Sequence, residues 1–222
     1  TNSNDFTLGA GTLTNTEDCP SDVFSTMNPL DNYYAGATFS QGNNTVQSTT
    51  GNKAWNRGTI GVNKGKFYWE AKLSATSSSD KWNLIGISDI PPIATGDDLG
   101  LDNYQYAIYE YDGKVYPSGS AATYAASWNT GDIIGVALDC DNNKIYWSKG
   151  GAWADGSGSW DSSTFDAAVG AITIQAPAST ASGFYFPAWG DGGVNVNKTW
   201  QFNFGNGYFG TTIISSAGTN AS

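Results

Sequence analysis

The sequence predicts an all-β sandwich, on three observations. Apolar and polar residues alternate with period two in one segment after another, Gly, Pro, Asp and Asn punctuate these segments at short intervals, and helical periodicity is almost absent. A chain of 222 residues fits one such domain, since roughly 200–250 residues is ordinary for a single sandwich or barrel. The aromatic fraction of 14% supplies core material that suits pleated sheets, and 28 glycines supply the turns.

The clearest strand is Phe67-Tyr68-Trp69-Glu70-Ala71-Lys72-Leu73. It puts Phe67, Trp69, Ala71 and Leu73 on a buried face, with Tyr68, Glu70 and Lys72 on a wetted one. Leu84-Ile85-Gly86-Ile87-Ser88 follows and ends at Asp89 and Pro91-Pro92. A strand over 104–111 runs into Asp112-Gly113, a two-residue hairpin signal because that turn needs positive φ. Lys114-Val115-Tyr116 returns and is stopped by Pro117. The apolar run 133–139 turns at Asp141-Asn142-Asn143 into Lys144-Ile145-Tyr146-Trp147-Ser148. Phe184-Tyr185-Phe186, closed by Pro187, and Thr199-Trp200-Gln201-Phe202-Asn203-Phe204 complete the late strands. Asp22-Val23-Phe24 and Ala37-Thr38-Phe39-Ser40 read as shorter strands near an edge.

Gly86 and Gly135 interrupt apolar strands, where glycine is costly unless something must approach closely. Each is expected to seat an aromatic ring from the facing sheet. Leu84-Ile85-Gly86-Ile87 echoes Ile133-Ile134-Gly135-Val136, and Tyr68-Trp69 echoes Tyr146-Trp147, too little for a repeat array. The expected organisation is a polar lead-in over 1–17, the sandwich over 18–209 and a small-residue, linker-like tail over 210–222. With Thr1 at its start, the chain reads as part of a larger product or oligomer.

The net charge is −10, with 10 basic against 20 acidic residues and a pI near 4.1. Nucleic-acid affinity comes largely from Lys and Arg displacing counterions, so this balance argues against a nucleic-acid partner. No apolar run approaches the roughly 18 residues of a membrane-spanning helix, and no signal peptide opens the sequence. Cys140 follows an apolar strand and reads as a buried or half-buried thiol; its pairing with Cys19 stays open.

Six blocks in order resemble a SPRY domain of the kind found in phage and other microbial proteins. They are Gly65-Lys66-Phe67-Tyr68-Trp69-Glu70; Ile85-Gly86-Ile87-Ser88; Gly131-Asp132-Ile133-Ile134-Gly135-Val136-Ala137-Leu138-Asp139; Lys144-Ile145-Tyr146-Trp147-Ser148-Lys149-Gly150-Gly151; Tyr185-Phe186-Pro187-Ala188; and Phe202-Asn203-Phe204-Gly205. Together they cover about residues 55–209. The resemblance implies a concanavalin A-like sandwich of two bent antiparallel sheets. The stretch Asp22-Val23-Phe24-Ser25-Thr26-Met27-Asn28-Pro29-Leu30-Asp31 is similar to a lead-in of marine phage and metagenomic members. Animal SPRY domains bind short peptides on loops at one end; those loop residues have no match here, so the resemblance carries over no partner.

Histidine is absent, which removes Ser-His-Asp and Cys-His machinery and every His-ligated metal site. Carboxylate-pair hydrolysis of a glycan is the serious catalytic rival. The chain has three glutamates, Glu17, Glu70 and Glu110, and neither Glu70 nor Glu110 has an alternating acid beside it. No enzyme and no cofactor is therefore expected. Calcium, which takes about six to eight oxygens, has one weak candidate in Asp97, Asp98 and Asp102. Asp139, Asp141, Asn142 and Asn143 are better explained as turn chemistry.

The remaining signal is aromatic residues beside Gly, Ser, Asp or Asn, namely Trp82, Tyr104, Tyr124, Trp153, Trp160 and Trp189. Trp and Tyr concentrate in protein interfaces, and sugars stack on their faces. Trp153 and Trp160 occupy the Gly/Ser/Asp-rich segment 150–163, and Trp189 lies near a loop mouth; Trp55 and Trp69 read as core. The leading expectation is a non-enzymatic module at a virion surface, in a tail fibre, spike or capsid decoration, recognising a host-surface glycan or protein or a neighbouring virion subunit. The alternatives are a carbohydrate-binding module of a secreted bacterial protein and, behind it, a glycan hydrolase.

Overall fold

The computed structural model describes residues 23–31, 36–48, 53–77, 79–92, 98–161, 170–193, 197–210 and 212–213. Two antiparallel sheets face one another. The larger has the order β1 (Ala37–Ser40), β2 (Thr45–Ser48), β14 (Lys198–Asn203), β4 (Lys66–Thr76), β8 (Ile133–Asp139), β9 (Lys144–Lys149), β10 (Ala152–Ala154), β11 (Trp160–Asp161). A further strand, β12 (Ile172–Thr173), also pairs with β9. The smaller runs β3 (Ala54–Arg57), β13 (Phe186–Asp191), β5 (Asn83–Ser88), β6 (Gln105–Tyr109), β7 (Val115–Pro117). A hairpin of β15 (Tyr208–Phe209) and β16 (Thr212–Ile213) straddles the boundary expected after 209. Helix among the described residues is limited to two 3-10 turns, and none is long and apolar enough to cross a membrane.

Register explains the sequence echo. β4 and β9 flank β8, so Tyr68, Ala137 and Tyr146 form one cross-strand row, and Trp69, Val136 and Trp147 form the next. The tryptophan row points inward, where Trp69, Trp147 and Val136 join Ile85, Ile87 and Trp200 in the main core. The Trp147 indole N–H donates to the Ile85 carbonyl at 2.9 Å, tying the sheets together. The alternation expected of β4 holds for Trp69, Ala71 and Leu73, whereas Phe67, at the end of the sandwich, is 38% exposed.

Four local expectations are corrected. Pro187 does not close a strand: β13 continues through it to Asp191, between β3 and β5. Its carbonyl accepts from Gly58 N at 2.7 Å, where β3 has ended, so its missing N–H lies on that side and spares the β5 ladder. The hairpin at Asp112-Gly113 is wider than two residues, spanning 110–114, although Gly113 does take positive φ (68°). A Cβ there would run into the Ala125 carbonyl. Neither interior glycine seats a ring from the facing sheet. Gly86 abuts the β6 backbone at Tyr106 and Ala107, and Gly135 lies under Tyr68 of the adjacent strand. Val23 and Phe24 form no strand; Asp22 lies outside the described residues.

The 139–143 turn follows the expected chemistry. Asp139 Oδ1 accepts from the Asp141 and Asn142 amides at 3.0 and 2.9 Å, and its Oδ2 pairs with Lys66 Nζ at 2.8 Å.

Candidate functional site

β5 is buried on both faces. Ile85 and Ile87 enter the main core, and Leu84 faces the other way into a second, smaller one with Trp55, Leu99, Ala107 and Ala188. Thus the outer face of the smaller sheet is covered in part, by Leu99. Among the described residues the cover stops beyond Leu99. Trp82, Leu101, Tyr109, Tyr116, Asp98 and Gly192 line an open groove of about 140 Å³.

Its walls are aromatic. Tyr109 lies at the centre, with ring centroids 6.0 Å from Trp82, 6.2 Å from Tyr111 and 5.8 Å, edge-on, from Tyr116. Trp82 and Leu101 are each 49% exposed and Tyr111 67%, so the rim carries apolar surface in water. One carboxylate supplies polarity. Asp98 Oδ2 holds Lys53 Nζ at 2.5 Å, while its Oδ1 is buried and has no hydrogen-bond partner among the described residues. Burial raises the Tyr109 phenol above its ordinary value, so it stays a hydrogen-bond donor through the neutral range. An apolar, aromatic rim suits a partner that inserts an apolar or aromatic group.

The aromatic residues singled out in the sequence do not converge. Only Trp82 belongs to the groove. Trp189 and Tyr124 are core residues, 0% and 1% exposed, which removes them from any binding surface. Trp189 sits inside β13 because that strand runs on past Pro187. Tyr124 packs edge-on against Trp147, and its hydroxyl donates to the Gly170 carbonyl at 2.6 Å. Trp153 and Trp160 lie on short strands, not in a loop, on opposite faces of the larger sheet. Trp153 pairs across from Ser148 on the outer face, near Tyr68 (6.3 Å). Trp160 packs half-buried against the main core, with its indole N–H on the Ala126 carbonyl at 2.8 Å. Tyr104, with φ 64°, packs half-buried against the main core. Sequence reasoning missed Tyr109, Tyr111 and Tyr116, which read as ordinary strand alternation.

The acidic residues separate as well. Asp97 lies outside the described residues, Asp98 is engaged by Lys53, and Asp102 Oδ2 accepts from Gln105 Nε2 at 3.4 Å. No group of three or more His, Cys, Asp or Glu among the described residues could hold a metal ion. Glu70 lies on the outer face of the larger sheet, accepting from Tyr68 Oη at 2.9 Å and Asn203 Nδ2 at 3.3 Å. Glu110 is buried just after β6 in the smaller sheet. They do not flank one cleft. Cys140 is a free, buried thiol, and Cys19 lies outside the described residues.

Fold and groove together define an all-β sandwich with an open aromatic groove on its smaller sheet. Residues 66–171 match the SPRY domain family. The fold is shared with the SPRY domain of human HERC1 (TM-score 0.59, 15% identity, covering 81% of this chain and 98% of that one). It is shared too with a second human SPRY domain (TM-score 0.53, 15% identity, 76% and 95%). Stonustoxin contains it as a part, at TM-score 0.54 and 17% identity over 81% of this chain and 27% of the toxin chain. No curated protein matches by sequence. SPRY domains are in general non-catalytic modules that mediate protein–protein interaction.

Proposed function

We propose that this domain acts by noncovalent recognition of a protein, with the groove of Trp82, Leu101, Tyr109 and Tyr116 as its contact surface. The observation that carries this is the exposed aromatic rim of an open groove, on a sheet face that Leu99 covers only in part. Interface anchors are typically Trp and Tyr in partly desolvated pockets. The lead-in at 22–31 supports a setting in a phage virion protein, where the partner is a neighbouring virion subunit or a host-surface protein. Panning a random peptide library on the immobilised full chain tests the reading. Enriched peptides are expected to lose at least about tenfold in affinity with Trp82→Ala or Leu101→Ala. Peptides that bind these variants as well as the wild type, or no enrichment, would overturn it.

A second reading, carbohydrate binding, is favoured by Trp153 standing 6.3 Å from Tyr68, whose hydroxyl donates to Glu70, on the outer face of the larger sheet. A glycan array separates the two. Sugar binding lost in Trp153→Ala and kept in Trp82→Ala would replace the groove with that face.

A further inference from the structure

At one end of the sandwich, polar side chains fill positions that belong to the core. Asp191, Asn83 and Glu110 lie side by side across β13, β5 and the end of β6: Asp191 is the register partner of Asn83, and Glu110 N donates to the Asn83 carbonyl at 2.9 Å. The larger sheet brings Lys198 and Ser48 to the same level. Lys198 and Asp191 are both 0% exposed, and Nζ stands 3.3 Å from Oδ1. This contact is not a hydrogen bond, and among the described residues Lys198 Nζ makes none. The carboxyl it approaches is held firmly. Ser48 Oγ donates to Asp191 Oδ2 at 2.6 Å, and Gly193 N donates to Oδ1 at 2.9 Å. Nearby, Asn83 Nδ2 fixes Glu110 at 2.5 Å, and the Lys198 charge acts on Glu110 as well.

A buried ion pair without good hydrogen bonds repays its desolvation poorly. The same geometry suits a reaction that removes both charges. An amine and a carboxyl, held in contact and shielded from water, are set up for condensation, since proximity replaces a bimolecular encounter and no bulk water competes.

We propose that Lys198 and Asp191 form an intramolecular amide bond. The Nζ–Cγ bond forms, one Cγ–O bond breaks, and two of the ammonium's three hydrogens leave with that oxygen as water. No oxidant, reductant or further reactant is required. Ser48 Oγ–H and the Gly193 amide are placed to stabilise charge on the carboxyl oxygens as Nζ adds. Glu110 is the acid that carries the protons. Glu110 is tied to Asn83, the register partner of Asp191, and burial raises its carboxyl, which favours the protonated form that can give a proton to the departing oxygen.

Intact mass spectrometry of the full chain, followed by tryptic mapping, tests this. The wild type is expected about 18 Da below its sequence mass. Trypsin should fail to cut after Lys198, and fragment ions should be missing between 191 and 198. A mass equal to the sequence mass, with normal cleavage at Lys198, would overturn the proposal. An Asp191-Gly192 succinimide loses the same mass, so Lys198→Arg is the control. The deficit must vanish there; if it persists, it is a succinimide and the proposal fails. Glu110→Gln is expected to leave the two side chains unjoined, and full joining in that variant would overturn the role given to Glu110.

Discussion

Replacing Asn83 with alanine should be among the most damaging single changes in this domain, although it deletes no large side chain. Asn83 is fully buried; its Oδ1 accepts from the Trp200 indole N–H at 2.8 Å, and its Nδ2 donates to Glu110 Oε2 at 2.5 Å. One amide therefore ties β14 of the larger sheet to β5 of the smaller and satisfies a buried acid. Alanine strands both partners. At about 1–3 kcal/mol for each unsatisfied buried group, the loss is about 2–6 kcal/mol, a large share of the roughly 5–15 kcal/mol of a typical domain. Asn83→Asp separates the two halves of this effect. It keeps an acceptor for Trp200 but sets a carboxyl against Glu110, so its cost should be small near pH 4 and grow as both acids ionise. Urea unfolding followed by tryptophan fluorescence at pH 4 and pH 7 reads both. An Asn83→Ala midpoint within about 0.5 kcal/mol of wild type, or an Asn83→Asp cost independent of pH, would refute the network.

Three further outcomes follow from the geometry. Gly135→Ala places a Cβ 2.5 Å from both Tyr68 Oη and Ser148 Oγ. Overpacking at about 1–3 kcal/mol then outweighs the roughly 0.5–1 kcal/mol gained by removing a strand glycine; Tyr68→Phe should recover part of the melting temperature, and a more stable Gly135→Ala alone would contradict the contact. The pH dependence should carry two opposite contributions. Glu110 is raised from 4.5, chiefly by burial, so its contribution is full below 4.5 and is lost as pH rises through its folded value; Glu110→Gln should remove that slope. For Asp139, burial alone would raise the carboxyl, but Lys66 and the Asn142 donors outweigh it and hold it at about 2. Its contribution is present above 3.8 and lost as pH falls to about 2, and Asp139→Asn should flatten that limb of the urea-midpoint curve. Finally, burial pushes the Cys140 thiol up to about 11, so peptide mapping after iodoacetamide at pH 8 should find it alkylated only in the unfolded chain.

What the sequence discloses depends on whether the deciding force is local. β4, β8 and β9 are legible because β8 is an unbroken apolar run and β4 and β9 carry matching Tyr-Trp pairs, which fall into register across β8. β13 is not. A proline inside an apolar run reads as a stop, and only the end of the neighbouring β3 shows that the absent N–H is harmless. Trp189 was misplaced by the same step. The groove hides for a related reason: Tyr109 and Tyr116 look like wetted strand positions until Leu99 covers part of that face and leaves the rest open.

The buried polar cluster is the instructive case, because it is legible by phase and not by composition. Asp191 follows Trp189 by two residues, Lys198 precedes Trp200 by two, Asn83 precedes Ile85 by two, Glu110 follows Ile108 by two and Ser48 follows Val46 by two. Every reference residue is core. Period-two alternation therefore points all five polar side chains inward, at strand ends that the topology brings to one level. Four strands end on a polar residue in the buried phase and a fifth, β6, is followed by one, whereas chance polarity at strand ends would scatter between both faces. The inward coincidence marks the end of the sandwich as a built site, which is why its lysine and aspartate are the pair to examine for a bond.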